Sequence, residues 1–319
     1  MPLVRALRDP ASTATLGGAG WTELIGLARA EQMMGTLAVR LDGLPMPGVL
    51  RAARAAAEDV RTAALWEAEM ARRALAPLNV PVVLLKGTAY VAAGLKAGQG
   101  RSIGDLDILV PRDALDAVEA ALLGAGWEWV KPDPYDDAYY RRWMHELPPL
   151  IHRERDRMID VHHTILPPTA RITPDAAALV ADRVVLTGGL AVLAPPDMIL
   201  HAVAHLFADG DLAGGLRNLW DIHCLLDEFG EEGLAARARH HGLQRALARA
   251  LRLRAVLYGE GGRPGPGDRW YLRRLLARDG WGRARRPVTR LAFYIRSHWL
   301  RMPPLMLARH LFTKWRKAS

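Results

Sequence analysis

The chain has 319 residues, half of them hydrophobic, with a formal net charge of +9 and a single cysteine, Cys224. This length predicts two domains or one domain with a large appendage, and one cysteine excludes an internal disulfide, as expected for a cytoplasmic protein. The first twenty residues lack an apolar signal segment, and no run of about eighteen apolar residues predicts a transmembrane helix. The positive charge favours an anionic partner, unless the high arginine content reflects only a GC-rich genome, in which Arg and Ala codons are frequent.

Residues 1–78 are predicted to form an N-terminal helical segment. Two stretches in it have a helical pattern, 21–45 and 48–78, and the second is rich in Ala, Arg and Glu, which are strong helix formers. Short apolar runs then alternate with glycine-containing stretches. They predict a strand at 82–85, a helix at 88–95, a loop at 97–104 and a second strand at 106–110.

Residues 79–170 are predicted to form an α/β core, and residues 171–319 a C-terminal helical domain. The rest of the core should contain a helix at 112–123 after Pro111, a strand at 127–130, a polar loop at 131–137 and paired strands at 146–152 and 158–165. In the C-terminal part, apolar residues recur at helical spacing in 196–207, 216–229 and 243–258. A Gly/Pro linker at 259–267 precedes a basic, helical tail.

Two carboxylates lie two positions apart in the second strand of the core. Because the side-chain period of a strand is two, Asp105 and Asp107 should point to the same face. Burying both charges is costly unless a cation offsets them. A divalent metal with oxygen ligands, often accompanied by a phosphate substrate, is the usual solution.

A third acid, Asp160, lies in the later apolar strand at 158–165. If this strand is next to the Asp105–Asp107 strand, three acids converge and can hold two cations. The alternative is a surface salt bridge from Asp160 to Arg157 or Arg171. His162 lies two positions beyond Asp160 and shares its face, where it can act as a base, contact a substrate or be a structural histidine.

The stretch Lys86-Gly87-Thr88 stands where a strand ends and a helix begins. Gly87 allows close backbone approach, the Thr88 hydroxyl can donate a hydrogen bond, and a helix N-terminus favours anions. Lys86 and Arg101 add positive charge for a phosphate group. The alternatives are a solvated Lys86 and a structural ion pair between Arg101 and one of the acids.

Several other polar and aromatic residues have structural interpretations that need no catalytic role. His201 and His205 are four positions apart on one helical face but lack a Glu or Cys partner for zinc, so we expect them to pack against the core. Asp221 can pair with Arg217, four positions earlier. The basic tail also carries aromatic side chains, which suit an anionic surface or an amphipathic helix pair; they are Trp281, Phe293, Tyr294, Trp299, Phe312 and Trp315.

Four pieces of sequence, in this order, resemble the nucleotidyltransferase-fold superfamily, which includes DNA polymerase beta. They are Leu84 to Gly87, Arg101, Asp105 to Val110 and Ile159 to His162. More narrowly, the chain is similar to the bacterial uncharacterised nucleotidyltransferase branch, and the resemblance covers about residues 80–230. It implies an α+β fold, in which a small mixed sheet forms a nucleotidyltransferase core flanked by helices and followed by a C-terminal helical domain.

The resemblance also implies roles for the acids. Asp105 and Asp107 would be metal ligands and Asp160 the third carboxylate, all three catalytic, with two Mg²⁺ ions. The residue patterns themselves, rather than the resemblance, predict that substrate or phosphate is bound by Lys86, Gly87, Thr88, Arg101 and His162. The chain departs from the wider superfamily at Lys86-Gly87-Thr88, where Gly-Ser or Gly-Gly is usual. This departure leaves the identity of the nucleotide open.

Three functional hypotheses follow. The first is a magnesium-dependent transferase that moves a nucleotidyl group from a nucleoside triphosphate to a hydroxyl or phosphate acceptor by a two-metal mechanism. The second is a glycosyltransferase with a nucleotide-sugar donor and a small-molecule or (phospho)peptide acceptor. The third is a non-catalytic nucleotide-binding protein, against which the presence of all three acids argues. Nucleic acid is the less favoured acceptor, because no recognised nucleic-acid-binding module is found.

Overall fold

The computed structural model describes residues 1–131, 133–259, 261–303 and 307–308. Within these residues it contains fourteen α-helices and one seven-stranded mixed sheet, which confirms the predicted fold of a small sheet flanked by helices. The N-terminal helices are α1 (Pro2–Arg8), α2 (Gly18–Ala30), α3 (Met34–Arg40) and α4 (Gly48–Leu75).

Helices alternate with strands in the middle of the chain and then continue alone. The first group comprises α5 (Lys86–Ala92), α6 (Leu115–Gly124), α7 (Pro134–Trp143) and α8 (Ala176–Ala181). The second group comprises α9 (Pro195–Ala204), α10 (Gly215–Phe229), α11 (Leu234–His240), α12 (Gln244–Leu257), α13 (Asp268–Leu275) and α14 (Pro287–Arg301). Among the described residues, no helix is both long and apolar enough to span a bilayer.

The strands are short. They are β1 (Val83–Leu84), β2 (Leu106–Leu109), β3 (Trp127–Trp129), β4 (Leu150–His152), β5 (Met158–His162), β6 (Val184–Val185) and β7 (Ala191–Val192). Their order across the sheet is β3-β4-β5-β2-β1-β7-β6. The pairs β2–β5 and β1–β7 are parallel, and the other four pairs are antiparallel.

Strand β2 lies at the centre of the sheet, and all four of its residues are buried. A strand covered on both faces is expected to be almost entirely apolar, and Asp107 is the exception. The parallel register with β5 places Asp107 directly beside Asp160. The topology therefore brings together two acids that are 53 positions apart in the sequence.

Helix α4 packs against strand β2 and three neighbouring helices. Its Ala/Arg/Glu-rich sequence is stabilised on the exposed face by the Glu69 carboxylate, which pairs with Arg72 and Arg73 one turn later. Its other face contacts α3, α5, α6 and β2. At its C-terminal half the buried Glu67 receives two hydrogen bonds from Arg155, in the turn between β4 and β5. The helix thus fixes the strands that carry the acids.

Two sequence predictions of local structure are wrong. Residues 131–137 were expected to form a loop, but α7 begins at Pro134, because proline is tolerated in the first turn of a helix. The hairpin β6–β7 was not predicted, since two-residue strands are too short to show a period. This hairpin extends the sheet beside β1, from a segment expected to be helical. The division into segments 1–78, 79–170 and 171–319 stays a prediction.

Candidate metal centre

Three carboxylates meet at one place on the sheet. Asp107 lies on β2, Asp160 lies beside it on β5, and Asp105 immediately precedes β2. One carboxylate oxygen of each residue lies within 4.8 Å of the other two. Asp107 is only 3% exposed, whereas Asp160 is half-buried and Asp105 is exposed. The group therefore runs from the interior to the surface, and we call these three residues the acid triad.

The electrostatics of the acid triad fit a hard divalent cation. Burial, together with the negative charges of Asp107 and Glu146, raises the pKa of Asp160 to about 7. Three carboxylates this close cannot all be ionised at low cost unless positive charge is added. An all-oxygen donor set of this kind is the one that Mg²⁺ and similar ions prefer. The residues present can therefore hold such an ion.

Lys86 is the first residue of α5, two positions before the predicted helix start, and its ammonium group reaches the acid triad. Its Nζ donates a hydrogen bond to Asp107 Oδ1 at 2.5 Å. Although burial lowers the pKa of Lys86, the charges of Asp107 and Asp105 raise it above its usual value. Conversely, burial raises the pKa of Asp107, but Lys86 and His162 hold it well below its usual range. Asp107 is thus an ionised carboxylate with a cation beside it.

The backbone of Lys86 has a φ of +49°, which is uncommon for a residue other than glycine. A side chain in this left-handed region costs about 1–2 kcal/mol. Residues with such strain cluster at functional sites, where the surrounding structure maintains them. Here the hydrogen bond from Lys86 to Asp107 is one of the contacts that hold the strained conformation.

His162 contacts the same carboxylate from the adjacent strand. Its Nε2 lies 3.0 Å from Asp107 Oδ1, and its side chain is 1% exposed. On the other side of the ring, Nδ1 lies 3.5 Å from Glu146 Oε2. The ring of His145 follows, with its centroid 5.2 Å from that of His162. The sequence analysis did not identify His145 and Glu146 as site residues, because their approach to His162 depends on pairing with the end of β5, which their local sequence does not specify.

The other predicted phosphate-binding residues lie deeper than expected. Arg101 is buried and forms an ion pair with Asp221 of α10. Arg217, the predicted partner of Asp221, donates a hydrogen bond to the Ser102 carbonyl, and its positive charge also acts on the Asp221 carboxylate. A Cβ on Gly87 would lie 2.7 Å from Arg101 Nε, which shows that the glycine makes room for the guanidinium group. Thr88 is 2% exposed. Gly87, Thr88 and Arg101 are all buried in this structure, and their contact with phosphate stays a prediction.

His201 and His205 are near the site but not part of either potential metal-binding group in the described region. His201 lies in α9, and His205 begins a π-helical turn that continues it. Burial and the positive charge of Lys86 lower the pKa of His205 to about 3. Both residues are therefore neutral and pack near Lys86, as expected for histidines that cover the core.

Helix α14 contains only part of the basic aromatic tail. Phe293 is buried, whereas Trp281, Tyr294 and Trp299 are exposed. Phe312 and Trp315 lie outside the described residues. The described part of the tail therefore has one inward-facing and several outward-facing aromatic side chains.

Comparison with known proteins identifies one family. The chain matches the family described as "Uncharacterised nucleotidyltransferase" over residues 17–259. The match includes the acid triad, Lys86, His162 and all seven strands. None of the curated proteins compared with the chain matches it.

Proposed function

We propose a nucleotidyl-transfer reaction for this chain, which belongs to the uncharacterised nucleotidyltransferase family. The donor would be a nucleoside triphosphate and the acceptor a hydroxyl or phosphate group on a small molecule or peptide. The observation that carries the proposal is the acid triad, whose oxygens converge within 4.8 Å on two paired strands. Membership of a family described as an uncharacterised nucleotidyltransferase and a site suited to divalent cations both support this proposal.

In the proposed reaction the acid triad, Asp105, Asp107 and Asp160, binds the cations. When bound, two Mg²⁺ ions would neutralise the carboxylates and the donor phosphates and lower the pKa of an attacking hydroxyl. The acceptor oxygen forms a bond to the α-phosphorus as the bond to pyrophosphate breaks, and the acceptor proton passes to a neighbouring carboxylate. Lys86 supplies positive charge for the leaving pyrophosphate, and His162 orients Asp107 through its 3.0 Å contact.

A nucleotide-sugar donor is the second candidate, and one observation favours it. Gly87 is packed against Arg101 and Thr88 is buried, so the start of α5 offers less exposed backbone for a triphosphate than the sequence suggests. A nucleotide-sugar has a diphosphate, which the acid triad and Lys86 are sufficient to bind. In this reaction the sugar carbon, rather than phosphorus, would form the bond to the acceptor, and a nucleoside diphosphate would leave.

Donor binding and product analysis separate these reactions. Wild-type protein, Asp107→Asn and the exposed control Asp113→Asn would be titrated calorimetrically with nucleoside triphosphates and nucleotide-sugars, with and without Mg²⁺. We expect magnesium-dependent triphosphate binding that Asp107→Asn loses and Asp113→Asn keeps, and pyrophosphate as the product. Release of a nucleoside diphosphate would favour sugar transfer. If no donor binds, or if Asp107→Asn binds like wild type, the proposal is wrong.

A further inference from the structure

We propose that His145, Glu146 and His162 form a second metal site, suited to a borderline transition-metal ion such as Zn²⁺. One ligand atom from each of the three residues lies within 4.8 Å of the other two. The group shares no residue with the acid triad but is connected to it, because His162 also contacts Asp107. We call these three residues the His–Glu–His group. Whether they bind a metal does not depend on the proposed transfer reaction.

The backbone holds the His–Glu–His group in place. Residues 145–147 run alongside the C-terminal end of β5, with hydrogen bonds of 2.9 Å from His163 N to His145 O and from Leu147 N to Val161 O. Between these bonds, Glu146 is paired directly with His162 in an antiparallel bridge. The three side chains therefore project from a hydrogen-bonded pair of segments, which is a more rigid support than a loop.

The hydrogen bonding of His162 points to a cation. Asp107 is an ionised carboxylate and can only accept, so the Nε2 of His162 carries the proton that it donates. In the neutral ring, Nδ1 then presents a lone pair toward Glu146 Oε2 at 3.5 Å. Within the described part of the chain, the buried Nδ1 of His162 makes no hydrogen bond. His145 approaches the same carboxylate oxygen through Nε2, which lies 3.7 Å from Glu146 Oε2. A positive ion between His162 Nδ1, His145 Nε2 and Glu146 Oε2 would bind both ring nitrogens and the carboxylate.

The contact between His162 and Asp107 also has the form found around bound metals. Histidine ligands commonly donate their second ring N–H to a carboxylate, which fixes the tautomer and orients the ring. Two imidazole nitrogens and one carboxylate suit Zn²⁺ and neighbouring transition metals, whereas the all-oxygen acid triad suits Mg²⁺. A metal on Nδ1 would strengthen the Nε2–H bond and hold Asp107 in its orientation.

Cobalt(II) provides a direct test, because its visible absorption reports nitrogen ligands and low coordination number. Untagged protein, stripped with a chelator, would be titrated with Co²⁺ and then with Zn²⁺ in competition. We expect one intense visible band in wild type and in Asp105→Asn, which removes an acid-triad residue only. His145→Asn and Glu146→Gln should lose the band and bind Zn²⁺ more than about tenfold more weakly.

His163→Asn is the matched control, because His163 is adjacent, similarly buried and bonded instead to the Met144 carbonyl. It should keep the band, and circular dichroism should show that all variants are folded. If wild type shows no band, or if the band survives both His145→Asn and Glu146→Gln, the His–Glu–His group binds no transition metal. No donor nucleotide is needed, so the outcome is independent of the transfer reaction.

Discussion

Asp107 and Asp160 are paired in register on β2 and β5, yet their surroundings shift the pKa values of the two carboxyl groups in opposite directions. The Lys86 ammonium and the His162 ring stabilise the charge of Asp107, whereas burial and neighbouring negative charge destabilise that of Asp160. Removing each charge should therefore have opposite effects on the metal-free protein. The same pair of strands thus contains one carboxylate that supports the fold and one that opposes it.

In metal-free protein at pH 8, Asp107→Asn should lower the free energy of unfolding by about 1–3 kcal/mol, because Lys86 loses its charged partner. Asp160→Asn should raise it, because repulsion with Asp107 disappears. Denaturant unfolding with a chelator present measures both. Equal effects of the two substitutions would contradict the assigned electrostatics.

Replacing Lys86 should affect both donor binding and the stability of the fold. Lys86→Ala removes the partner of Asp107 and should lower the melting temperature of metal-free protein as well as weaken donor binding by about 1.5–3 kcal/mol. Adding Mg²⁺ should recover part of the lost stability, since the ion replaces the missing positive charge. Differential scanning calorimetry at several Mg²⁺ concentrations checks this. A variant that melts like wild type without Mg²⁺ would show that the Lys86–Asp107 contact contributes no stability.

At the scale of elements, the start of α5 depends on a glycine for packing. In Gly87→Ala the new methyl group would lie 2.7 Å from Arg101 Nε and 3.0 Å from Ile103 Cγ1. We expect a loss of about 1–3 kcal/mol in unfolding free energy from this overpacking. Gly104→Ala, in the loop before β2, meets no atom within 4 Å and should change stability little. Comparable unfolding midpoints for the two variants would refute the close packing.

Helix α10 contains a histidine that should make stability pH-dependent. Burial and the positive charge of Arg254 lower the pKa of His223 to about 4, and Arg254 Nε donates to His223 Nδ1 at 3.1 Å. The unfolded chain has the ordinary value near 6.5 and binds the proton first as the pH falls. The contribution of His223 to stability should therefore decrease from about pH 6.5 downward, by up to about 3 kcal/mol near pH 4.

His223→Gln keeps an acceptor for Arg254 and removes the titration. Its unfolding free energy should consequently fall less steeply between pH 6.5 and pH 4 than that of wild type. Urea unfolding at half-unit pH intervals measures the difference. Parallel pH profiles for the two proteins would mean that His223 is not the group responsible.

Features that depend on a local sequence pattern could be predicted from the sequence. Contacts between segments that are distant in the sequence could not. The spacing of Asp105 and Asp107 indicates one strand face without further information. Their approach to Asp160 needed the assumption that β5 neighbours β2, which the apolar pattern alone does not establish. The pair between Arg101 and Asp221 joins residues 120 positions apart, and neither local sequence names the other.

At the scale of the whole molecule, two features join the predicted core to the predicted C-terminal domain. The hairpin β6–β7 adds residues 184–192 to the sheet, and the buried ion pair links Arg101 to Asp221 of α10. Both features connect segments that the sequence analysis assigned to different units. Folding of one unit should therefore depend on the other.

We expect a single cooperative unfolding transition rather than two. Asp221→Asn should lower the free energy of unfolding by about 3–5 kcal/mol, because Arg101 becomes a buried charge without its partner. The double variant Arg101→Met with Asp221→Leu should recover much of this loss. Calorimetry and two spectroscopic probes would detect a separate transition. Two resolved transitions would support independent domains with a boundary near residue 170.

The hydrogen bond from Lys86 to Asp107 has a consequence for the proposed binding of a divalent cation. Because the chain supplies its own cation to the most buried acid, an ion bound by the acid triad would replace one positive partner of Asp107 with another. We therefore expect metal binding to release the Lys86 ammonium group from Asp107, so that it can contact the phosphates of a donor. Under the proposed function, metal would bind before the donor, and the position of one side chain would set this order.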